Sequence, residues 1–152
     1  SPEQRDAYKT LTSATSIIED SGKPSEDVLT YVTTKQDSEY KEVLVQSFRN
    51  ELSAAGYALA SAREEAALIV ELDDTAVELS SVTIGTQTVD GATAALAMRA
   101  TWAYDGSTFI RTSGRGRAAN RSQDVAIEKA ISQATAALFK HFDQKVKEGK
   151  SQ

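Results

Sequence analysis

With 152 residues, 40% of them hydrophobic and 26% charged, the chain has the size and balance of one globular domain with a self-sufficient core. Its net charge of −5 disfavours a nucleic-acid partner, which would select a basic surface. The absence of cysteine excludes disulfides, thiolate catalysis and thiolate-ligated zinc, and is compatible with either the cytosol or an oxidising periplasm.

No apolar run approaches the roughly 18 residues of a membrane-spanning helix, and no signal peptide is visible. The chain starts at Ser1-Pro2-Glu3. A processed or trimmed form is therefore expected, with any signal peptide or lipidated cysteine lying upstream.

In chain order, Ala7, Leu11, Ala14 and Ile18 predict an N-terminal helix over Pro2–Asp20, broken by Ser21-Gly22-Lys23-Pro24. Asp27–Thr34 is rich in β-branched residues and reads as a first strand. Ser38–Ala55 reads as a helix. Tyr40, Leu44, Phe48 and Leu52 recur every fourth residue, Asp37 or Ser38 can cap it, and Gly56 suits a left-handed exit.

Ala66–Leu79 predicts a second strand. Leu68, Val70 and Leu72 share one face, whereas Val77 and Leu79 fall in the opposite phase. A β-bulge near Asp73-Asp74 would reconcile the two. Gly85–Gly91 reads as a polar connection. Ala94, Leu96, Met98, Ala100, Trp102 and Tyr104 alternate strictly with Thr93, Ala95, Ala97, Arg99, Thr101 and Ala103, which predicts a third strand, and Asp105-Gly106 suits a two-residue type I′ turn. The return strand is expected over Ser107–Arg117. Ile127, Ile131, Ala134, Leu138 and Phe142 then predict a closing helix from Ser122 to about Lys147, with Ser122 as its cap.

The order α-β-α-β-β-β-α predicts an α+β fold. It is a two-layer α/β sandwich, with a mostly antiparallel sheet of about four strands and two helices on one face, plus the N-terminal helix. The expected organisation is an N-terminal helix and linker over residues 1–24, one sandwich domain over 25–148, and a frayed tail over 149–152.

Three passages carry a resemblance. They are Phe48-Arg49-Asn50-Glu51-Leu52-Ser53-Ala54-Ala55-Gly56-Tyr57, a helix that exits through Gly-Tyr; Glu65-Ala66-Ala67-Leu68-Ile69-Val70-Glu71-Leu72, a strand; and Ser113-Gly114-Arg115-Gly116-Arg117 through Ala126-Ile127-Glu128-Lys129-Ala130, the passage into the final helix. In layout, Val28–Phe142 resembles small bacterial envelope lipoprotein domains. These include the YajG-type lipoproteins, the LPS-assembly lipoprotein LptE, the CsgG-type secretion proteins and the penicillin-binding-protein activators. The resemblance implies a periplasmic or outer-membrane-associated domain, the alternative being the cytoplasm. It also implies membrane anchoring through a lipidated residue upstream.

The chemistry available is sparse. His141 is the single histidine, so a metal site or dyad would have to be built on it alone, and a packing or capping role is expected. Glu64-Glu65 and Asp73-Asp74 are adjacent pairs, and adjacent strand residues point to opposite faces. Asp73-Asp74 is expected to mark the bulge or blunt an edge strand. Gly114-x-Gly116 lacks the third glycine of a dinucleotide fingerprint, where Ala119 stands. Ser107, Ser113 and Ser122 lack a nucleophile-elbow context.

Arg111, Arg115 and Arg117 would share one face of a regular strand, although Gly114 and Gly116 could bend it. Such a group could meet phosphate, an acidic glycan or an acidic partner, or could simply be a solvated edge. With Arg121 and the hairpin aromatics Trp102 and Tyr104 they form the candidate partner surface. No catalytic residue, metal ligand or cofactor is assigned. The expected function is that of a non-catalytic envelope accessory or assembly domain that contacts an envelope protein partner or forms a homo-oligomer, without nucleic acid. The alternative is an anionic-ligand or glycan-binding domain using Arg111, Arg115 and Arg117.

Overall fold

A computed structural model describes residues 28–150. The expected N-terminal helix therefore lies outside the described residues. Four strands and two helices follow in chain order: β1 (Thr30–Thr34), α1 (Lys41–Ala54), β2 (Leu68–Ile84), β3 (Gln87–Trp102), β4 (Thr108–Asn120) and α2 (Gln123–Lys150). The sheet order is β1-β2-β3-β4. β1 and β2 run parallel, as the intervening helix requires, and the remaining pairs are antiparallel. Both helices cover one face of this mixed sheet, which is the expected two-layer α+β arrangement.

Leu44, Phe48 and Leu52 of α1 are fully buried. The helix begins later than expected, at Lys41, with Tyr40 in the cap position and no side-chain cap. The Ser38 hydroxyl instead accepts from the Tyr40 N–H at 3.4 Å. At the other end Gly56 takes φ 88°. The Gly56 N–H donates to the Ser53 carbonyl at 3.0 Å and the Tyr57 N–H to the Leu52 carbonyl at 2.9 Å. That is a Schellman termination, and it needs the left-handed backbone that glycine adopts without strain. It aims Tyr57 into a buried aromatic cluster with Phe139 and Phe142.

β2 carries the expected irregularity. Its register with β3 shifts between Asp74 and Ala76, so Thr75 is the extra residue. Before it Leu68, Val70 and Leu72 lie on the helix side of the sheet; after it Val77 and Leu79 return to that side.

The Gly85–Gly91 segment is not a connection. The turn is only Gly85-Thr86, with Gly85 at φ 65°, and β3 starts at Gln87. The apolar pattern fades there because this end of the ribbon runs past the helices: Leu79 is 50% and Ile84 61% exposed. The β-branched residues Val82, Thr83, Ile84, Thr88 and Val89 still favour the extended backbone there.

The second hairpin also differs from expectation. Five residues (103–107), not two, join β3 to β4. Asp105 Oδ1 accepts from both the N–H and the hydroxyl of Ser107, at 2.9 and 2.7 Å. The Gly106 N–H donates to the Trp102 carbonyl at 2.8 Å. An aspartate that bonds its own backbone two residues on builds this wider loop in place of a type I′ turn.

α2 continues to Lys150, beyond the expected Lys147. Its buried stripe is Ala126, Ile127, Ala130, Ile131, Ala134, Leu138, Phe142 and Val146. Ser122 Oγ accepts from the Val125 N–H at 3.4 Å, in the role expected of it.

Candidate functional site

β4 reads Arg111-Thr112-Ser113-Gly114-Arg115-Gly116-Arg117, and the two halves of that alternation do different things. Gly114 and Gly116 face α2. A Cβ on Gly116 would stand 2.0 Å from the Ala130 carbonyl oxygen and 2.6 Å from the Ala134 nitrogen; on Gly114 it would stand 2.9 Å from the Ala134 carbonyl oxygen. The glycines therefore let an alanine-lined helix lie directly on the strand. They do not bend it, since the β3–β4 register is unbroken from Asp90↔Asn120 to Ala100↔Ile110.

With the strand regular, Arg111, Arg115 and Arg117 all point to the face that carries no helix, and all three are exposed. They share it with Thr93, Ala95, Ala97 and Arg99 of β3 and with Glu71, Asp73, Ala76 and Glu78 of β2. Cross-strand rows are Glu71–Arg99–Arg111, Asp73–Ala97–Ser113, Ala76–Ala95–Arg115 and Glu78–Thr93–Arg117. Among the described residues the ion pair on this face is Lys35 Nζ to Asp73 Oδ2 at 3.2 Å. Glu71, Glu78, Arg99 and the three β4 arginines form none. Lys35, Glu71, Asp73, Ala97, Arg99 and Arg111 line an open concavity of about 300 Å³.

The candidate aromatics Trp102 and Tyr104 are not brought to this face. Trp102 stacks against Phe109, with ring centroids 5.7 Å apart, and Phe109 against Phe142, so Trp102 closes the helix-side core. Tyr104 leans on Trp102 from the loop at 6.2 Å and is half exposed. Arg121, just beyond β4, donates to Gln87 Oε1 at 3.4 Å. The sequence reading missed Arg99 and the β2 acids as members of the open face. Their periodicity was visible, but the alignment of the β2 acids with β3 is set by the Gly85-Thr86 turn and the bulge, and that of Arg99 with Arg111 by the five-residue 103–107 loop, and both turns differ from expectation.

The remaining polar groups have local roles. His141 Nδ1 lies 2.8 Å from Thr112 Oγ1, linking α2 to β4. Among the described residues no cluster of three or more metal-ligating side chains occurs. Asp73 faces the open side and Asp74 the helix side. They immediately precede the bulge and lie beyond Leu72, the last β2 residue paired with β1, where β2 has an open edge, so the two expected roles fall together. Glu64 and Glu65 sit in a 3-10 turn, not a strand (Arg63–Glu65). Burial, then the negative charges of Glu39, Asp74 and Asp124, raise the Tyr40 phenol above its usual range.

No family model matches the chain, and no curated protein matches it in sequence. Solved structures match it in shape. A candidate lipoprotein from Caulobacter crescentus aligns with a TM-score of 0.57 at 11% identity, over 81% of this chain and 92% of that one. A Xanthomonas campestris protein of the DUF330 family gives 0.57 at 13% identity, over 86% and 90%. The PelC dodecamer of Paraburkholderia phytofirmans gives 0.50 at 12% identity, over 77% and 89%. The fold is one that bacterial lipoproteins share. These neighbours agree with the lipoprotein-like layout read from the sequence and do not select among the four families it resembles. No helix among the described residues is long and apolar enough to cross a membrane.

Proposed function

We propose that the chain is an accessory or assembly domain of the bacterial cell envelope, placed on the periplasmic side or at the outer membrane. It works by protein contact and not by catalysis. The observation that carries this reading is the open sheet face. Its arginines are exposed, aligned by a regular strand and without internal carboxylate partners, on a fold shared with bacterial lipoproteins. A buried scaffold role would require paired guanidinium groups.

Two measurements test it in the producing cells. Fractionation should place the protein with the envelope. A photo-crosslinking side chain in place of Ser113, between Arg111 and Arg115, should capture a discrete protein adduct. A purely cytosolic protein, or no adduct from Ser113, refutes the proposal.

A second reading, an anionic ligand or glycan held through Arg111, Arg115 and Arg117, is favoured by the concavity that joins Arg111 to Arg99 and Lys35. Two arginines directly opposite on neighbouring strands repel unless an anion lies between them. Calorimetric titration with inorganic phosphate and with an acidic sugar tests this reading. Absence of heat with both removes it.

A further inference from the structure

The charges of the open face are sorted by strand. β2 presents Glu71, Asp73 and Glu78; β4 presents Arg111, Arg115 and Arg117; β3 between them presents mainly Thr93, Ala95 and Ala97, with Arg99 at one end. They are also sorted by row. Glu71 stands level with Arg111, and Glu78 stands level with Arg117. We infer that this face is a self-association surface whose occupant is a second copy of this chain, turned about a two-fold axis parallel to β3. The inference rests on reading the open face as a contact surface and adds what contacts it.

A two-fold axis along the middle strand exchanges left and right and keeps the rows level. It lays β4 of one protomer over β2 of its partner. Arg111 then meets the partner's Glu71 and Arg117 meets the partner's Glu78, while Arg115, level with the partner's Ala76, lies nearest the partner's Glu78, since Asp73 is already paired with Lys35. Each contact occurs twice, as an isologous interface requires. A two-fold axis across the strands would instead set acid on acid and arginine on arginine. Packed sheets lie about 10 Å apart, a gap that an arginine and a glutamate reaching from opposite sides together span. The small side chains of β3 leave the centre clear for that approach.

The pairing also relieves what the monomer leaves unsatisfied. The partner's Glu71 arrives beside the opposed Arg99 and Arg111. Arg99 meets its own copy near the axis, which weakens the association. The matched patch is small, roughly 15 Å by 25 Å from strand spacing and rise, and below the standard interface size. A weak, salt-sensitive dimer follows.

Sedimentation velocity of the 152-residue chain over a range of concentrations, at low and high salt, tests this. The expected result is a concentration-dependent dimer that dissociates as salt rises. R111E/R117E and E71R/E78R should each weaken it roughly tenfold or more, because every matched pair becomes a like-charge pair. An equimolar mixture of the two variants should restore a dimer, since each then offers the sign that the other lacks. Circular dichroism checks that both variants fold; if either does not, R111Q/R117Q and E71Q/E78Q replace them, each expected to weaken the dimer. A wild-type protein that stays monomeric at low salt overturns the inference, as does a dimer indifferent to the variants or a charge-reversed mixture that stays monomeric. The Ser113 adduct keeps the two proposals apart. A cross-linked dimer of this chain supports both, an adduct with a different envelope protein supports only the broader reading, and no adduct refutes that reading.

Discussion

Substituting Gly116 by alanine probes how the final helix is seated. The added methyl would sit 2.0 Å from the Ala130 carbonyl oxygen and 2.6 Å from the Ala134 nitrogen. Both are backbone atoms of α2, so no rotamer change relieves the overlap. The nearer contact is about 1.4 Å short of van der Waals distance. The helix must lift by that order, loosening Ala130, Ile131 and Ala134, all fully buried. Overpacking of this kind costs about 1–3 kcal/mol, and a backbone clash this deep belongs at the upper end. Against it stands about 0.4–1 kcal/mol from the stiffer unfolded chain. A net loss of about 2 kcal/mol is expected. Gly114→Ala, whose nearest contact is 2.9 Å, should lose less than half as much. Urea unfolding followed by circular dichroism measures both through the midpoint, with the slope m checking that the transition stays two-state. Gly116→Ala as stable as the wild type, or Gly114→Ala the more damaging, would refute the close-approach explanation of the glycines.

Leu138 is fully buried on α2, so Leu138→Ala should cost about 2–5 kcal/mol by the same assay, and an unchanged midpoint would contradict its place in the core. Arg115→Ala with Arg117→Ala should change stability by no more than about 0.5 kcal/mol per site, because both are exposed and unpaired; a large loss would make them scaffolding. The Tyr40 phenol is raised by burial and by nearby acids, so its stabilising contribution is complete below the ordinary tyrosine range and is lost as pH rises through the higher folded value. Ultraviolet difference titration of the wild type against Tyr40→Phe should therefore show one late-ionising tyrosine missing from the variant, and identical curves would contradict the shift.

Where side-chain periodicity coincided with burial, the sequence was a good guide. Leu44, Phe48 and Leu52 marked α1, Ile131, Ala134 and Leu138 marked α2, and the phase change between Leu72 and Val77 located the bulge. Reading failed where exposure removed the pattern. The distal ribbon has no helix over it, so Gln87–Gly91 looks like a loop although it pairs with Ser80–Ile84. The site was legible in part. Spacing alone put Arg111, Arg115 and Arg117 together, but nothing local separates glycines that bend a strand from glycines that admit a helix. Trp102 and Arg111 looked like neighbours along the chain and lie on opposite faces of the sheet.

The extra residue in β2 bears on how this chain can change in length. Thr75 is exposed, and its hydroxyl donates to the Ala95 carbonyl at 2.9 Å. Removing it would join Asp74 to Ala76, whose partners Leu96 and Ala95 are already consecutive, leaving every other side chain on its present side. The loss would straighten the strand and reduce its local twist. A residue deleted elsewhere between Val70 and Leu79 would have to be made good by moving or consuming this bulge. Thr75 is thus slack stored in β2 just beyond the reach of β1, and it is a place where the strand can shorten by one without turning Val77, Leu79 or Glu78 inside out.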